Sequence, residues 1–403
     1  MKTVKSFSIF LCFILITFIF AGCNHSSKNK TSNSGINDHS VVEIDVNYES
    51  SSDCLPFDSL FDDVFFVKLE TTEKSLIGRI SQVLFVDNKI TVVDEEIAKN
   101  ISVFDMSGHF LNNIGNIGGG PEEYSRIKCV ALYPDSSMIV VNDNATHLKY
   151  YNIDGAFVKG GKLPYENDII EFLSNKTIVT DRAIGNQIDN NKDYLPRFIL
   201  SDTSGKVYYS AFETVNNKKF HQVTFFPVRK YGDQVFYNPS FSDTIYQVDI
   251  NGLTPKYVFK MKGVKPLVID KNITDQIMDD YHKKYPFFNG EWFDLENSVY
   301  VTFMHQIIPW ERFTLYSKKQ QKSFCSTGEL YNPLFYFWHT PKARYKDNYL
   351  VSSVSAAELL SRKEDMYNLK QNLPKGKEDI LDDLFQDLTE DDNPVLFFYR
   401  VNI

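Results

Sequence analysis

Five cysteines in 403 residues are too few for a disulfide-built scaffold, and no Cys-x-x-Cys pair is present. The usual catalytic signatures are missing as well. The chain has no His-Glu-x-x-His, no Gly-x-Ser-x-Gly, no Walker loop and no dinucleotide glycine fingerprint, which removes the enzyme classes that depend on them. Basic residues are in deficit, 43 Lys and Arg against 52 Asp and Glu, so nucleic acid and anionic membrane surfaces are excluded as direct partners. Long apolar runs are absent beyond the first two dozen residues. That one run, Phe7 to Phe20, follows Lys2 and Lys5 and is too short and too abruptly polar at its end for a comfortable membrane span.

What is present is a repeat. A β-branched or aromatic run ending in a small polar residue occurs six times: Ile90–Asp94, Ile139–Asp143, Thr177–Asp181, Val235–Asn238, Val299–Thr302 and Tyr349–Ser352. In four copies a second strand follows and ends in an Asp/Asn-x-polar-Gly turn, with glycines at Gly108, Gly155, Gly205 and Gly252, spaced 47, 50 and 47 residues apart. Asp or Asn bonds its own backbone in such turns, and glycine tolerates their positive φ. Phe313–Tyr316 with the Lys318–Lys322 turn supplies a degenerate fifth copy. Short alternating strands with a period just under 50 residues fit one four-stranded propeller blade.

The reading is therefore all-β, a six-bladed β-propeller over residues 41–403. Innermost strands are expected to begin near Ile80, Ile127, Asp168, Gln222, Gly290 and Leu334. The last blade lacks a normal second half, and Asp62–Glu70 lies upstream without a partner. If that N-terminal strand supplies the outer edge of blade six beside Asn393–Val401, the ring closes and no long sheet edge is left open. Helical insertions on the top face are expected at about 270–286, with Ile273, Ile277 and Tyr281 at helical spacing, and at about 355–389.

Before the propeller, Phe20-Ala-Gly-Cys23 resembles a bacterial lipoprotein processing site. Residues 1–23 then read as signal peptide and lipidated Cys23, and residues 24–40 as a flexible tether; loss of Lys2 and Lys5 takes the formal charge from −9 to −11. Of the remaining cysteines, Cys54, Cys129 and Cys325, at most one pair can bond. None is expected to, because Cys129 falls in an apolar inner strand, where a buried thiol acts as a small hydrophobe.

Ser75–Gly78, Val103–Leu111, Gly118–Tyr124, the Asn152–Gly155 turn and Asp392–Val395 resemble the six-bladed β-propeller lipoproteins abundant in Bacteroides and its relatives, themselves similar to NHL-repeat propellers. The resemblance runs from about residue 60 to the C-terminus. Glu122 stands where glycine is usual after Gly-Pro. The resemblance implies an envelope location, with outer-membrane anchoring through lipid and the periplasmic side favoured because no acidic run follows Cys23; it implies no activity and no cofactor.

Propeller geometry points to the rim that carries the long loops. Candidate ligand-binding residues at this mouth are Arg79, Tyr124, Arg126, His221, Glu291 and Trp292 at inner-strand starts, and Arg182, His305, Trp310 and Arg312 on loops. Trp faces beside Arg and carboxylate groups suit a saccharide, a peptide or an anionic metabolite, and the expected partner is a saccharide, a peptide or another envelope protein. A noncatalytic binding lipoprotein follows from this set. The alternative is a periplasmic lyase or hydrolase of NHL-like type with a metal on the axis, held by His221, His305 and His339. Eight acids with no base between Glu378 and Asp392 lack the spacing of a calcium loop and read as a solvated face.

Overall fold

In the computed structural model, residues 40–46, 55 and 59–403 are described, apart from 136–137, 183–193, 216–225, 240–241, 266, 268–272, 305–311, 326–333, 335–339, 374 and 378. Cys23 and the tether lie outside the described residues. Two strands come first, β1 (Val42–Val46) and β2 (Phe61–Lys68). Blade one is β3–β6 (Gln82–Val86, Lys89–Asp94, Asn100–Asp105, Phe110–Asn113), and blade two is β7–β10 (Ile127–Leu132, Met138–Asp143, His147–Asn152, Phe157–Lys162). Blade three is β11–β14 (Ile169–Ser174, Thr177–Asp181, Tyr194–Asp202, Val207–Val215), and blade four contains β15–β18 (Val228–Tyr231, Gln234–Tyr237, Thr244–Asp249, Gly252–Met261). Blade five is β19–β22 (Phe287–Asp294, Ser298–Met304, Arg312–Ser317, Lys322–Cys325). Blade six joins β23–β25 (Ala343–Tyr345, Tyr349–Val354, Val395–Val401) to β2. Six antiparallel sheets thus form a six-bladed propeller in which the N-terminal strand completes the last blade, as the repeat predicts.

Closure is antiparallel, from Phe61 opposite Val401 to Lys68 opposite Val395. Rings reinforce it: Phe65 stacks on Phe398 at 4.4 Å, and Phe61 meets Tyr399 edge-on at 6.0 Å. The innermost strands begin at Gln82, Ile127, Ile169, Val228, Phe287 and Ala343; Gln222, expected to start the fourth, lies outside the described residues, and Leu334, expected to start the sixth, is not in a strand.

The third-strand turns do more than reverse the chain. Asp105 Oδ1 accepts the amides of Ser107 and His109, at 2.8 and 3.0 Å, and Asn152 Oδ1 accepts that of Ala156 at 2.8 Å. Gly108 and Gly155 sit at φ +90° and +89°, and each turn lies against the preceding blade. A Cβ on Gly108 would stand 1.9 Å from the Lys68 carbonyl oxygen, and one on Gly155 would stand 2.2 Å from that of Asn113. The repeat glycine is therefore also an inter-blade joint.

β1 was not foreseen as a separate strand. It adds in parallel to the outer edge of blade four, Val42 opposite Tyr257 through Val46 opposite Met261, and buries Ile44 and Val46. Further on, Leu55 donates its N–H to the Cys325 carbonyl at 2.9 Å, on the outer strand of blade five, before β2 joins blade six. Three successive blades are tied by one N-terminal segment.

That segment corrects the cysteine reading. Cys129 is free and buried, but Cys325 is disulfide-bonded. The argument from Cys129 left out the strap, which brings the chain neighbour of Cys54 onto Cys325.

The insertions are helical. α1 (Asp275–Lys284) lies in the crossing between blades four and five, N-capped by Thr274; Met278 and the preceding Ile273 are buried and Tyr281 is half-buried, while Ile277 faces solvent at 45% exposure, so of the expected stripe only Ile277 turns outward. α2 (Ala356–Ser361), α3 (Lys363–Asn368) and α4 (Ile380–Phe385) connect β24 to β25. They bury Leu359, Met366, Leu381, Leu384 and Phe385 in the same core as Val64, Phe397 and Tyr399. Lys377 Nζ reaches Asp63 Oδ1 and the Val64 carbonyl, both at 2.6 Å, and Lys68 Nζ bonds the carbonyls of Asp383 and Gln386 at 2.8 and 3.0 Å. This insertion therefore covers the closing strand.

Non-reducing peptide mapping should recover Cys325 linked to the peptide that contains Cys54, and Cys325→Ser should lower stability in denaturant by about 2–4 kcal/mol. A free Cys325 thiol in the oxidised protein, or an unchanged midpoint, would remove the strap from the list of forces closing the ring.

Candidate functional site

The aspartate ending the second strand of each of blades one to three fastens neighbouring chain. Asp94 is fully buried; its Oδ2 accepts the amides of Gly78 and Arg79 at 2.7 and 2.8 Å, and its Oδ1 accepts that of Ile97 at 2.8 Å. Burial alone would raise its pKa, but these amide bonds hold it below the ordinary carboxylate value. Asp143 Oδ1 likewise takes the amides of Ser125 and Arg126, at 2.9 and 3.1 Å, and the Ser125 hydroxyl at 2.8 Å. In blade three, Asp181 Oδ2 binds Arg197 Nε and the Tyr237 hydroxyl, both at 2.9 Å and all buried. In each of blades one to three an acid thus joins the second strand to a blade crossing or a neighbouring blade.

On this base stands an arc of charge. Arg79 is exposed and pairs with Glu96 at 2.5 Å. Glu95 lies within electrostatic reach of Glu96, Arg126, Lys128 and Arg79; burial, then the Glu96 charge, push its pKa up. Lys128 Nζ meets Asp168 Oδ1 at 2.6 Å with about a quarter of each side chain exposed. Arg182, half-buried, is lowered by burial and faces Glu166, Tyr165 and Asp168. Blades one to three therefore present Arg79, Glu95, Arg126, Lys128, Asp168 and Arg182 along one stretch of the mouth.

Comparison with known families decides the chain's kinship: residues 39–400 match the model described as a domain of unknown function, DUF4934. The chain belongs to the DUF4934 family. Among solved structures, this DUF4934 propeller is similar to a "putative exported protein" of Bacteroides fragilis, with 19% identity over 90% of this chain and 100% of that one and a TM-score of 0.71. It is also similar to a member of the DUF4221 family from Bacteroides vulgatus, with 12% identity over 85% and 97% of the two chains and a TM-score of 0.50. These likenesses show the fold. No curated protein matches the sequence.

Of the residues read as mouth candidates, the DUF4934 propeller brings Arg79, Arg126 and Arg182 together. Tyr124 and Trp292 go elsewhere, each 1% exposed. Tyr124 meets Tyr151 edge-on and donates to the Ile114 carbonyl at 3.2 Å, locking the 114–126 crossing. Trp292 fills the wedge between blades four and five, edge-on to Tyr231 and Phe236 at 5.5 Å each. Both are corrected to packing residues: Tyr124 belongs to the crossing before β7 and turns in against Tyr151, and Trp292 on the inner strand β19 points at the neighbouring blade. Glu291 is half-buried, and its carbonyl accepts the Thr302 hydroxyl at 3.2 Å. His221, His305, Trp310 and His339 lie outside the described residues, as does the Arg312 side chain. Among the described residues no group of His, Cys, Asp or Glu gathers as a metal site.

The Gly118–Tyr124 crossing is closed by its own acid, Glu123 Oε2 accepting the Gly120 amide at 2.8 Å, which leaves no phosphate cradle there. Sequence reasoning missed Glu95, Lys128 and Asp168. The acid doublet directly after Asp94 was the available signal. It also missed Glu171 on β11, whose Oε1 accepts the Phe172 amide at 2.9 Å and whose carboxyl burial raises to about 7, with that amide and Lys230 pulling the other way.

A carboxyl raised above its ordinary value of 4.5 gives a folded state that binds more protons than the unfolded one. Its favourable contribution is complete below about 4.5 and is lost as pH rises towards 7. Glu171→Gln should therefore stabilise the protein by about 1–3 kcal/mol at pH 8 and by much less at pH 4.5. Urea titrations at the two pH values check this; equal effects at both would mean that Glu171 is not held protonated by burial.

Proposed function

We propose that this chain is a noncatalytic lipoprotein of the cell envelope, anchored through Cys23 to the outer membrane on its periplasmic side and binding a saccharide, a peptide or another envelope protein through its top face. The observation that carries the reading is the arc from Arg79 to Arg182, in which buried Asp94 and Asp143 hold the amides of Arg79 and Arg126 while both side chains remain exposed. Fixed backbone beneath exposed charged ends limits the ordering cost of binding, which suits recognition. The helices and third-strand turns serve packing instead.

Three observations support export. The N-terminal run ends in Ala-Gly-Cys23, Cys325 is in a disulfide, and a structurally similar Bacteroides protein carries an exported description. An interaction role is favoured over catalysis because the arc's charges are largely paired with one another at exposed positions, the arrangement of a binding surface.

Arg126→Ala and Arg182→Ala should each weaken a ligand found by glycan or peptide arrays by about 1–3 kcal/mol, while Ser107→Ala on a packed turn leaves affinity unchanged. Isothermal titration settles it, and binding indifferent to both arginines would place recognition elsewhere. Independently, Cys23→Ala should move the protein from the membrane to the soluble fraction and abolish palmitate labelling; continued labelling would overturn the anchor.

A further inference from the structure

Blade four holds a guanidinium that meets Tyr231 but leaves one edge unbonded. Arg229, second residue of innermost strand β15, lies between two rings, its Cζ 4.7 Å from the Phe226 centroid and 4.3 Å from that of Phe293. Its Nε and Nη2 are shielded from solvent and have no hydrogen-bond partner. These two N–H groups share one edge of the planar group and point the same way, the fork that receives both oxygens of a carboxylate.

The nearby acid is already engaged. Asp294 Oδ1 takes Lys318 Nζ at 2.5 Å and the Tyr257 hydroxyl at 2.9 Å. Arg344, stacked on Tyr231 at 4.7 Å, donates to the Asp294 carbonyl, and the Tyr231 hydroxyl donates to the Trp292 carbonyl at 3.0 Å. The Nε–Nη2 fork therefore remains without a partner beside two aromatic rings. Phe226, which covers one face of it, sits at φ +54°, a conformation rare for a bulky side chain and found where a segment is held under constraint at functional sites.

We propose that Arg229 is the anchor of a second site, inside the propeller wall and separate from the mouth, for a small monocarboxylate. The guanidinium takes the carboxylate side-on, and Phe226 and Phe293 flank it; Phe226 yields to admit it. A single fork with one positive charge matches a carboxylate better than a phosphate dianion, which needs further donors.

Sodium acetate, compared with chloride and phosphate at equal ionic strength, provides the test. Acetate should raise the melting temperature of the full chain in a saturable way and protect Arg229 from phenylglyoxal modification, read by peptide mass. Arg229→Lys keeps the charge but loses the fork, and should weaken the acetate effect about tenfold or more. Arg126→Ala should leave it unchanged, which separates this site from the mouth. Equal effects of acetate and chloride, phosphate protecting better than acetate, or an acetate effect surviving in Arg229→Lys would each overturn the proposal. Should Arg229→Lys fail to fold, the protection experiment on the unsubstituted protein decides alone.

Discussion

The pairing of β2 with β25 is the constraint on which the rest depends. Six wedge-shaped sheets leave two open edges unless the chain ends meet, and an open edge of eight residues is an invitation to association. Asn393, immediately before β25, ties this seam to blade one. Its side chain accepts the Ile77 amide at 2.9 Å and donates to the carbonyls of Glu70 and Ser75 at 2.9 and 2.8 Å. Because Asn393 is buried, loss of these bonds would strand several polar groups without water. The strap through β1 and Leu55 then binds blades four and five to the same closure.

Buried polar residues in this propeller are architectural, and exposed ones are available for recognition. Asp94, Asp143, Asp181 and Asn393 each satisfy backbone or arginine donors at places where the chain passes between strands or blades. Arg79 and Arg126 ride on backbone that those acids hold. A family sharing the fasteners could change the arginines, glutamates and lysines above them without disturbing the ring, so the fold and the ligand are separable.

Much of this was legible in the sequence. Strand order and closure followed from the glycine spacing and from an N-terminal strand with no partner, since both are properties of pattern. The mouth was legible only in part. Arg79, Arg126 and Arg182 stand where expected, but Trp292 and Tyr124 carry the same amphipathic signal whether they face a ligand or a neighbouring blade. Only the direction of the side chain separates the two. β1 was readable too, because Val42-Glu-Ile-Asp-Val46 alternates cleanly; its parallel pairing with β18 was not, for a fifth strand has no place in a four-stranded repeat. The disulfide at Cys325 depends on that same unexpected course of the chain.

Cations of this ring meet two kinds of surroundings, and Arg79 with Lys128 on one side and Arg229 with Arg344 on the other exemplify them. In blades one to three, Arg79 and Lys128 meet carboxylates at exposed or half-exposed positions, where solvent screens the pair and exchange with a ligand's charge costs little. In blades four to six, Arg229 and Arg344 lie on aromatic rings, where the low dielectric strengthens whatever charge they meet. A surface of paired, exposed charges selects partners by pattern over a wide area, whereas a guanidinium enclosed by rings selects one group by geometry. The aromatic content needed to fill the wedges between blades therefore also provides a setting in which a single arginine can discriminate, so the packing of the fold and its capacity for recognition arise from the same residues.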